Sequence, residues 1–351
     1  MLLMLKDIPV LRLRTDPYAL EIYRNDLLPY YLKDCLVTES TDTDVRLNNI
    51  RLIHNFLRSR VLPISRKNAE VIYNMLKVPQ DDKLQMALIC RGVSLSDHYW
   101  VKSYTDPLQW KDVSLRVNAL NDLFTQAALC GIPISLKGSM HTPETTTNGT
   151  CAKGWKRENG GLYLYKRGET EKREVIVSDI LDNLGIQHVQ YIDAVYDDDY
   201  CAKCLCMTSD QISIVDAHTI SSWCLRNGID FLNYVKTIDP IHFYEMCVVD
   251  YLISNSDRHG GNWGFQFYAD TCYMIGLHPL YDHDHAFNKV LMQHPELPYT
   301  PVPGMSMQEA AKEAVKHIHI TCNRPFRRED FLSEIQYHSF MQRLEELTCQ
   351  S

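Results

Sequence analysis

The sequence predicts an α+β fold with a mainly helical front region, a strand-rich middle and a helix-rich rear. Three observations predict it. Apolar residues recur at helical spacing between residues 18 and 100, short aromatic and β-branched runs set between turn formers follow residue 130, and helical spacing returns from residue 217. With 351 residues the chain can form one large domain or two parts with separate cores. A hydrophobic content of 45% and a charged content of 23% are those of an ordinary globular protein.

In the front region, Leu47, Ile50, Leu52, Ile53, Phe56 and Leu57 mark one apolar helical stripe, and Ala69, Ile72, Tyr73 and Leu76 mark another. "SLSDHYWVK" (94–102) leads through "LQWKDVSL" (108–115) to the Asn/Asp-rich "RVNALNDLF". Residues 1–125 concentrate no reactive groups and read as an auxiliary unit. The texture then changes. "IPISLKGS" (132–139) reads as a strand entering a glycine turn, and residues 140–161 form a polar tract full of turn formers. "LYLYK" (162–166) is a short aromatic strand ending in a lysine, and "EVIVSDILDNLG" (174–185) is a helix with Gly185 as its stop. Residues 217–253 are helix-rich and end in "NSDRHGGNWGF" (255–265). "WGFQFY" and "CYMIGLHPLYD" form a hairpin, and helices over 307–320 and 329–348 follow.

Phosphoryl transfer from ATP asks little covalent work of a protein: phosphates must be cradled, magnesium held, and the acceptor oxygen set beside a carboxylate. Asp257 and Asn262 have the spacing D-x-x-x-x-N, in which the Asp serves as base and the Asn as metal ligand. Twenty residues on, "PLYDHDHAF" places Asp282 at a strand end, where a second metal-binding carboxylate belongs. Lys166 is positioned to contact the nucleotide phosphates, and Glu174, at a helix start, to orient it. Gly138 and Ser139 open a loop whose amides can cover phosphates. Each residue also has a plainer reading: an Asx turn for the Asp–Asn pair, a solvated strand end for Lys166, a dipole-favoured first-turn acid for Glu174. The set Lys, Asp, Asn, Asp in this chain order favours chemistry. Arg258 and His259 read as braces of the loop, and Gly260 and Gly261 as the means of a sharp turn.

The order D-R-H, with "NSDRHGGNWGF" followed by "PLYDHDHAF", resembles the HipA-like kinases of bacteria and, more distantly, the phosphatidylinositol-kinase-like group. "SLSDHYWVK", "LQWKDVSL" and "LYLYK" look like features of HipA-like proteins with an extra amino-terminal region. The resemblance implies a bilobal protein-kinase-like fold with a small β-rich N-lobe (about 126–215) and a helical C-lobe (about 216–351). It implies ATP and Mg2+ as cofactors and a Ser/Thr hydroxyl, on a protein, as acceptor. By it Asp257 is the catalytic base, Asn262 and Asp282 are the metal ligands, with Asp284 a rival to Asp282, and Lys166 contacts ATP. Phosphate loops of this family include a serine that the enzyme itself can phosphorylate, which directs attention to Ser139 and to threonines 145–147.

Other features bound the function. A net charge of −8 argues against direct nucleic-acid binding. No run of about 18 apolar residues is present, so no membrane span is expected, and "MLLMLKDIPV" lacks the basic leader of a signal peptide. Twelve cysteines without a regular pairing pattern suit the reducing cytoplasm. Cys201-x-x-Cys204-x-Cys206 has metal-like spacing but no second pair to complete four ligands. Two competing functions stand beside the kinase: an inactive kinase fold that holds nucleotide as a regulatory module, and a metal-dependent phosphohydrolase using Asp257, His259, Asp282, His283, Asp284 and His285.

Overall fold

The computed structural model describes residues 1–14, 19–133, 135 and 142–349. It divides into two units. The first comprises residues 1–167, 208–215 and 267–273, the second 168–207, 216–266 and 274–351.

The first unit begins with strands β1 (Leu2–Leu5), β2 (Ile8–Leu13) and β3 (Leu20–Ile22). Helices α1 (Thr43–Arg58), α2 (Ala69–Met75) and α3 (Lys83–Ile89) follow, then β4 (Tyr99–Lys102). The four strands form an antiparallel sheet in the order β3-β2-β1-β4. The front region is thus built on a sheet as well as on helices: β1 and β2 precede the mostly helical residues 18–100, and within them only the short β3 and the start of β4 are strands. β1, Leu-Leu-Met-Leu, is buried at every position and shows no polar alternation to mark it as a strand. Most of both helical stripes forms the core, with Ile53, Phe56, Leu57, Ala69, Ile72, Tyr73 and Leu76 buried together and Ile50 and Leu52 packed against them half-buried, whereas Leu47, near the start of α1, is exposed. Asp42 caps α1 by accepting from the Asp44 amide.

The unit continues with α4 (Trp110–Val113), α5 (Asp122–Cys130), β5 (Ala152–Glu158) and β6 (Gly161–Arg167). The strand expected over 132–139 falls largely on residues outside those described, as do Gly138 and Ser139. The polar tract to residue 161 resolves into a short turn at Pro143–Thr145 and then β5, so its second half is a strand. The turn joining β5 to β6 is Asn159-Gly160, with φ of +48° and +80°, the backbone that a two-residue hairpin with right-handed strand twist requires. Its register sets Lys153 opposite Lys166.

The second unit opens with α6 (Lys172–Leu184), closed by Gly185 in the left-handed conformation (φ +67°), as its sequence predicts. The hairpin of β7 (Tyr191–Tyr196) and β8 (Asp199–Leu205) follows. β9 (Ile212–Asp216) returns to the first unit, and α7 (Ala217–Arg226), α8 (Phe231–Ile238) and α9 (Pro240–Leu252) lie in the second. Asp216, Asp230 and Asp239 cap these three helices, and Pro240 holds the first position of α9. α9 buries Phe243, Met246, Cys247, Val248, Val249, Tyr251 and Leu252, a nearly all-round apolar surface, against α8, α11 (Met307–Ala314) and α12 (Glu334–Thr348). Between these lie β10 (Gly264–Tyr268), its sheet neighbour β11 (Met274–Leu277) and α10 (Lys289–Gln293). No helix among the described residues is long and apolar enough to cross a membrane.

Candidate active site

Asp250 lies in the last turn of α9, fully buried among apolar neighbours. A carboxylate in that position is costly unless it is paired and hydrogen-bonded. Arg258, also buried, meets it: Nε lies 3.0 Å from Oδ2 and Nη2 3.0 Å from Oδ1. Asn255 Nδ2 donates to Oδ1 at 2.9 Å and Tyr299 Oη to Oδ2 at 2.6 Å. Burial opposes the guanidinium's charge, yet the Asp250 carboxylate more than reverses this and holds the Arg258 pKa above the ordinary arginine value. Burial, with the same carboxylate beside it, holds the Tyr299 hydroxyl well above its usual value, so it stays a donor.

This buried hub braces the loop that carries Asp257 and Asn262. Asn262 Nδ2 donates to the Asp257 carbonyl at 2.9 Å and to its Oδ2 at 3.1 Å, and the Asp257 amide donates to Asn255 Oδ1 at 3.2 Å. The two residues that sequence spacing linked are therefore in direct contact. Asp257 keeps 38% of its side chain exposed while Asn262 is buried, so one reaches solvent and the other fixes it. His259 is more exposed and accepts the Gly261 amide on Nδ1 at 3.0 Å, a local brace. Gly260 is required by close approach: its carbonyl accepts the His218 amide at 3.0 Å, and a Cβ there would lie 3.1 Å from both His218 N and Cβ.

Asp282 lies in the loop five residues beyond β11 rather than at the strand's end, with φ +63°. A short polar side chain tolerates that left-handed backbone better than most. One ligand atom from each of Asp282, Asp284 and Glu174 lies within 4.8 Å of the others. Glu174, in the first turn of α6 and fully buried, accepts the His283 amide at 2.8 Å, while Arg173 Nη1 donates to the Asp284 carbonyl at 2.9 Å. Sequence reasoning assigned Glu174 to Lys166; the structure adds that its carboxylate stands with two aspartates. The three carboxylates are hard oxygen donors, of the kind that suits magnesium.

In the first unit Lys166 is buried on β6 directly across from Lys153 of β5, also buried. A Cβ at Gly149, where φ is +99°, would collide with Lys153 Nζ, so the chain needs glycine where that ammonium group packs. Buried Arg66 holds this segment by donating to the carbonyls of Glu144, Thr147 and Lys153. Lys153, Asp250 and Tyr299 are the residues sequence reasoning missed. The Asn-Gly turn, which fixes the hairpin register, was the available signal for Lys153.

The six Asp and His residues of the phosphohydrolase reading do not converge as ligands. His283 is buried with Nδ1 3.1 Å from Arg258 Nη2, and among the described residues no histidine joins the acidic group. Cys201 and Cys204 are buried on β8 opposite Ala194 and Tyr191, and no metal-ligating group of described residues includes them.

No protein-family model and no curated protein matches this sequence. Solved structures do. HipA of the Shewanella oneidensis MR-1 toxin–antitoxin system, solved with HipB and operator DNA, is similar over 99% of this chain and 96% of that one, at 12% identity and a TM-score of 0.51. The Helicobacter pylori proinflammatory kinase CtkA matches over 56% of this chain and 90% of its own, at 17% identity and a TM-score of 0.36. The chain has the HipA-like fold.

Proposed function

We propose that the chain is an ATP- and magnesium-dependent phosphotransferase of the HipA-like serine/threonine type, acting in the cytoplasm on a hydroxyl borne by a protein. The observation that carries this reading is the Asp257–Asn262 contact at the end of α9. Asp257 accepts the proton of the acceptor hydroxyl, with Oδ2 held by Asn262 and Oδ1 left for the incoming group. Asn262 Nδ2 is engaged by Asp257, which leaves Oδ1 as its metal-binding atom. Asn262 and Asp282 would hold magnesium, with Glu174 and Asp284 beside Asp282 raising the local negative charge. When bound, magnesium neutralises charge on the transferring phosphate. In the first unit Lys166, with Lys153 opposite, supplies cations for the phosphates. Residues 126–351 form the kinase domain in this reading, with 1–125 as an auxiliary region.

The test is purified protein incubated with γ-labelled ATP and magnesium, alone and with host lysate, with Asp257→Ala as control. Label transferred by the wild type and not by the variant supports the assignment. Nucleotide bound but never consumed would support the inactive regulatory module instead.

A further inference from the structure

We infer that the Asp250–Arg258–Tyr299 hub positions the two proposed magnesium ligands relative to each other, a role that rests on the kinase reading. Arg258 Nη1 donates at once to the carbonyl of Asn262, at 2.7 Å, and to the carbonyl of Tyr281, at 2.9 Å. One of those residues is itself a proposed ligand and the other directly precedes Asp282. The same guanidinium reaches His283 Nδ1 at 3.1 Å, so it grips the Asp282 loop on both sides. A single planar group with fixed N–H directions therefore spans two loops that lie twenty residues apart.

The guanidinium is itself held. Asp250 engages Nε and Nη2 from behind, leaving Nη1 turned to the two carbonyls. Tyr299 Oη and Asn255 Nδ2 occupy the remaining acceptor positions of Asp250, which fixes the carboxylate plane and with it the guanidinium plane. All of these groups are buried, so the arrangement is rigid and shielded from water. Tyr299 touches neither Asp257, Asn262 nor Asp282 by hydrogen bond; it acts through Asp250 and Arg258 and is a positioning residue.

Such outer partners typically tune metal affinity by about 10- to 100-fold. The experiment follows Mn2+ binding to protein with a non-hydrolysable ATP analogue by electron paramagnetic resonance, a readout independent of turnover. Tyr299→Phe, which keeps the ring and removes only the hydroxyl, should weaken Mn2+ binding about tenfold at a temperature well below its unfolding transition. Arg258→Lys, which keeps a charge but loses the fork, should weaken it further. Wild-type affinity in both variants, whether or not their melting temperature falls, would overturn the positioning role while leaving the kinase reading intact. No Mn2+ bound by the wild-type protein with nucleotide would overturn both. Arg258→Ala and Asp250→Ala are poor variants because each leaves a buried charge unpaired and risks unfolding.

Discussion

Asn262 and Asp257 are joined twice, through the Asp257 carbonyl at 2.9 Å and its Oδ2 at 3.1 Å, so the carboxylate cannot rotate freely. That constraint makes the chemistry of Asp257 separable from its shape. Asp257→Asn keeps the size and removes the proton acceptor. Turnover should fall by a factor on the order of 10² to 10⁴, the usual weight of general-base help, while nucleotide affinity changes little. Labelled-phosphate transfer and equilibrium nucleotide binding, measured side by side, check this; unchanged turnover would remove Asp257 from the role of base.

Lys153 and Lys166 stand opposite each other and buried on the β5–β6 hairpin. Lys153→Met keeps an unbranched side chain and removes its charge, so the melting temperature should change little. The substitution should weaken nucleotide binding several-fold. Gly149→Ala should weaken binding as well, by driving a Cβ into Lys153 Nζ from a backbone at φ +99°, but with a lower melting temperature. Scanning calorimetry with and without nucleotide separates the two; a destabilised Lys153→Met variant with normal affinity would mark the lysine as structural.

The parts of the fold visible in the sequence are those governed by local rules. α6 announced itself by its apolar spacing and Gly185, and the α1 and α2 stripes by Ile53, Phe56, Leu57, Ile72 and Tyr73. β1 did not, because a central strand buried on both faces has no alternation to display. Within the site, the Asp257–Asn262 contact was legible because five residues of chain constrain both groups. The bond from Tyr299 to Asp250 was not, since it closes across 49 residues and neither partner stands in a recognisable motif. Glu174 stood out in the sequence by its place after Lys166. Its company with Asp282 and Asp284 depends on tertiary packing that no spacing encodes.

Buried histidines give the protein a defined response to acid. Burial lowers the pKa of His98 in the first unit to about 4, and that of His278 in the second to about 4 as well. Arg116 and Lys6 act in the same direction on His98 while Asp97 and Asp210 oppose them; Arg258 adds to the effect on His278. With folded values below the unfolded value of about 6.5, the unfolded chain binds the extra protons between those limits, so stability falls as pH drops through that window. Each histidine should contribute a loss of up to ~2 kcal/mol between pH 6.5 and pH 5. Denaturant titrations at both pH values check it. In His278→Gln the second unit's acid-dependent loss should shrink, and an unaltered pH slope would show that His278 does not carry it.

Asp282 and Asp284 compete for one role, and the backbone offers a clean way to separate them. Asp282 sits at φ +63°, a conformation that asparagine adopts nearly as readily as aspartate, so Asp282→Asn removes the charge with little added strain. Arg258 grips the Tyr281 carbonyl immediately before Asp282, whereas the chain at Asp284 is held through its own carbonyl by Arg173. Asp282 is therefore the one whose preceding carbonyl is tied to the guanidinium that also holds the Asn262 carbonyl. The magnesium concentration for half-maximal phosphate transfer should rise at least about tenfold in Asp282→Asn and much less in Asp284→Asn. A reversed ranking would transfer the ligand role to Asp284. Equal, large effects in both, matched by Glu174→Gln, would instead mean that the three carboxylates act as one cation-binding group.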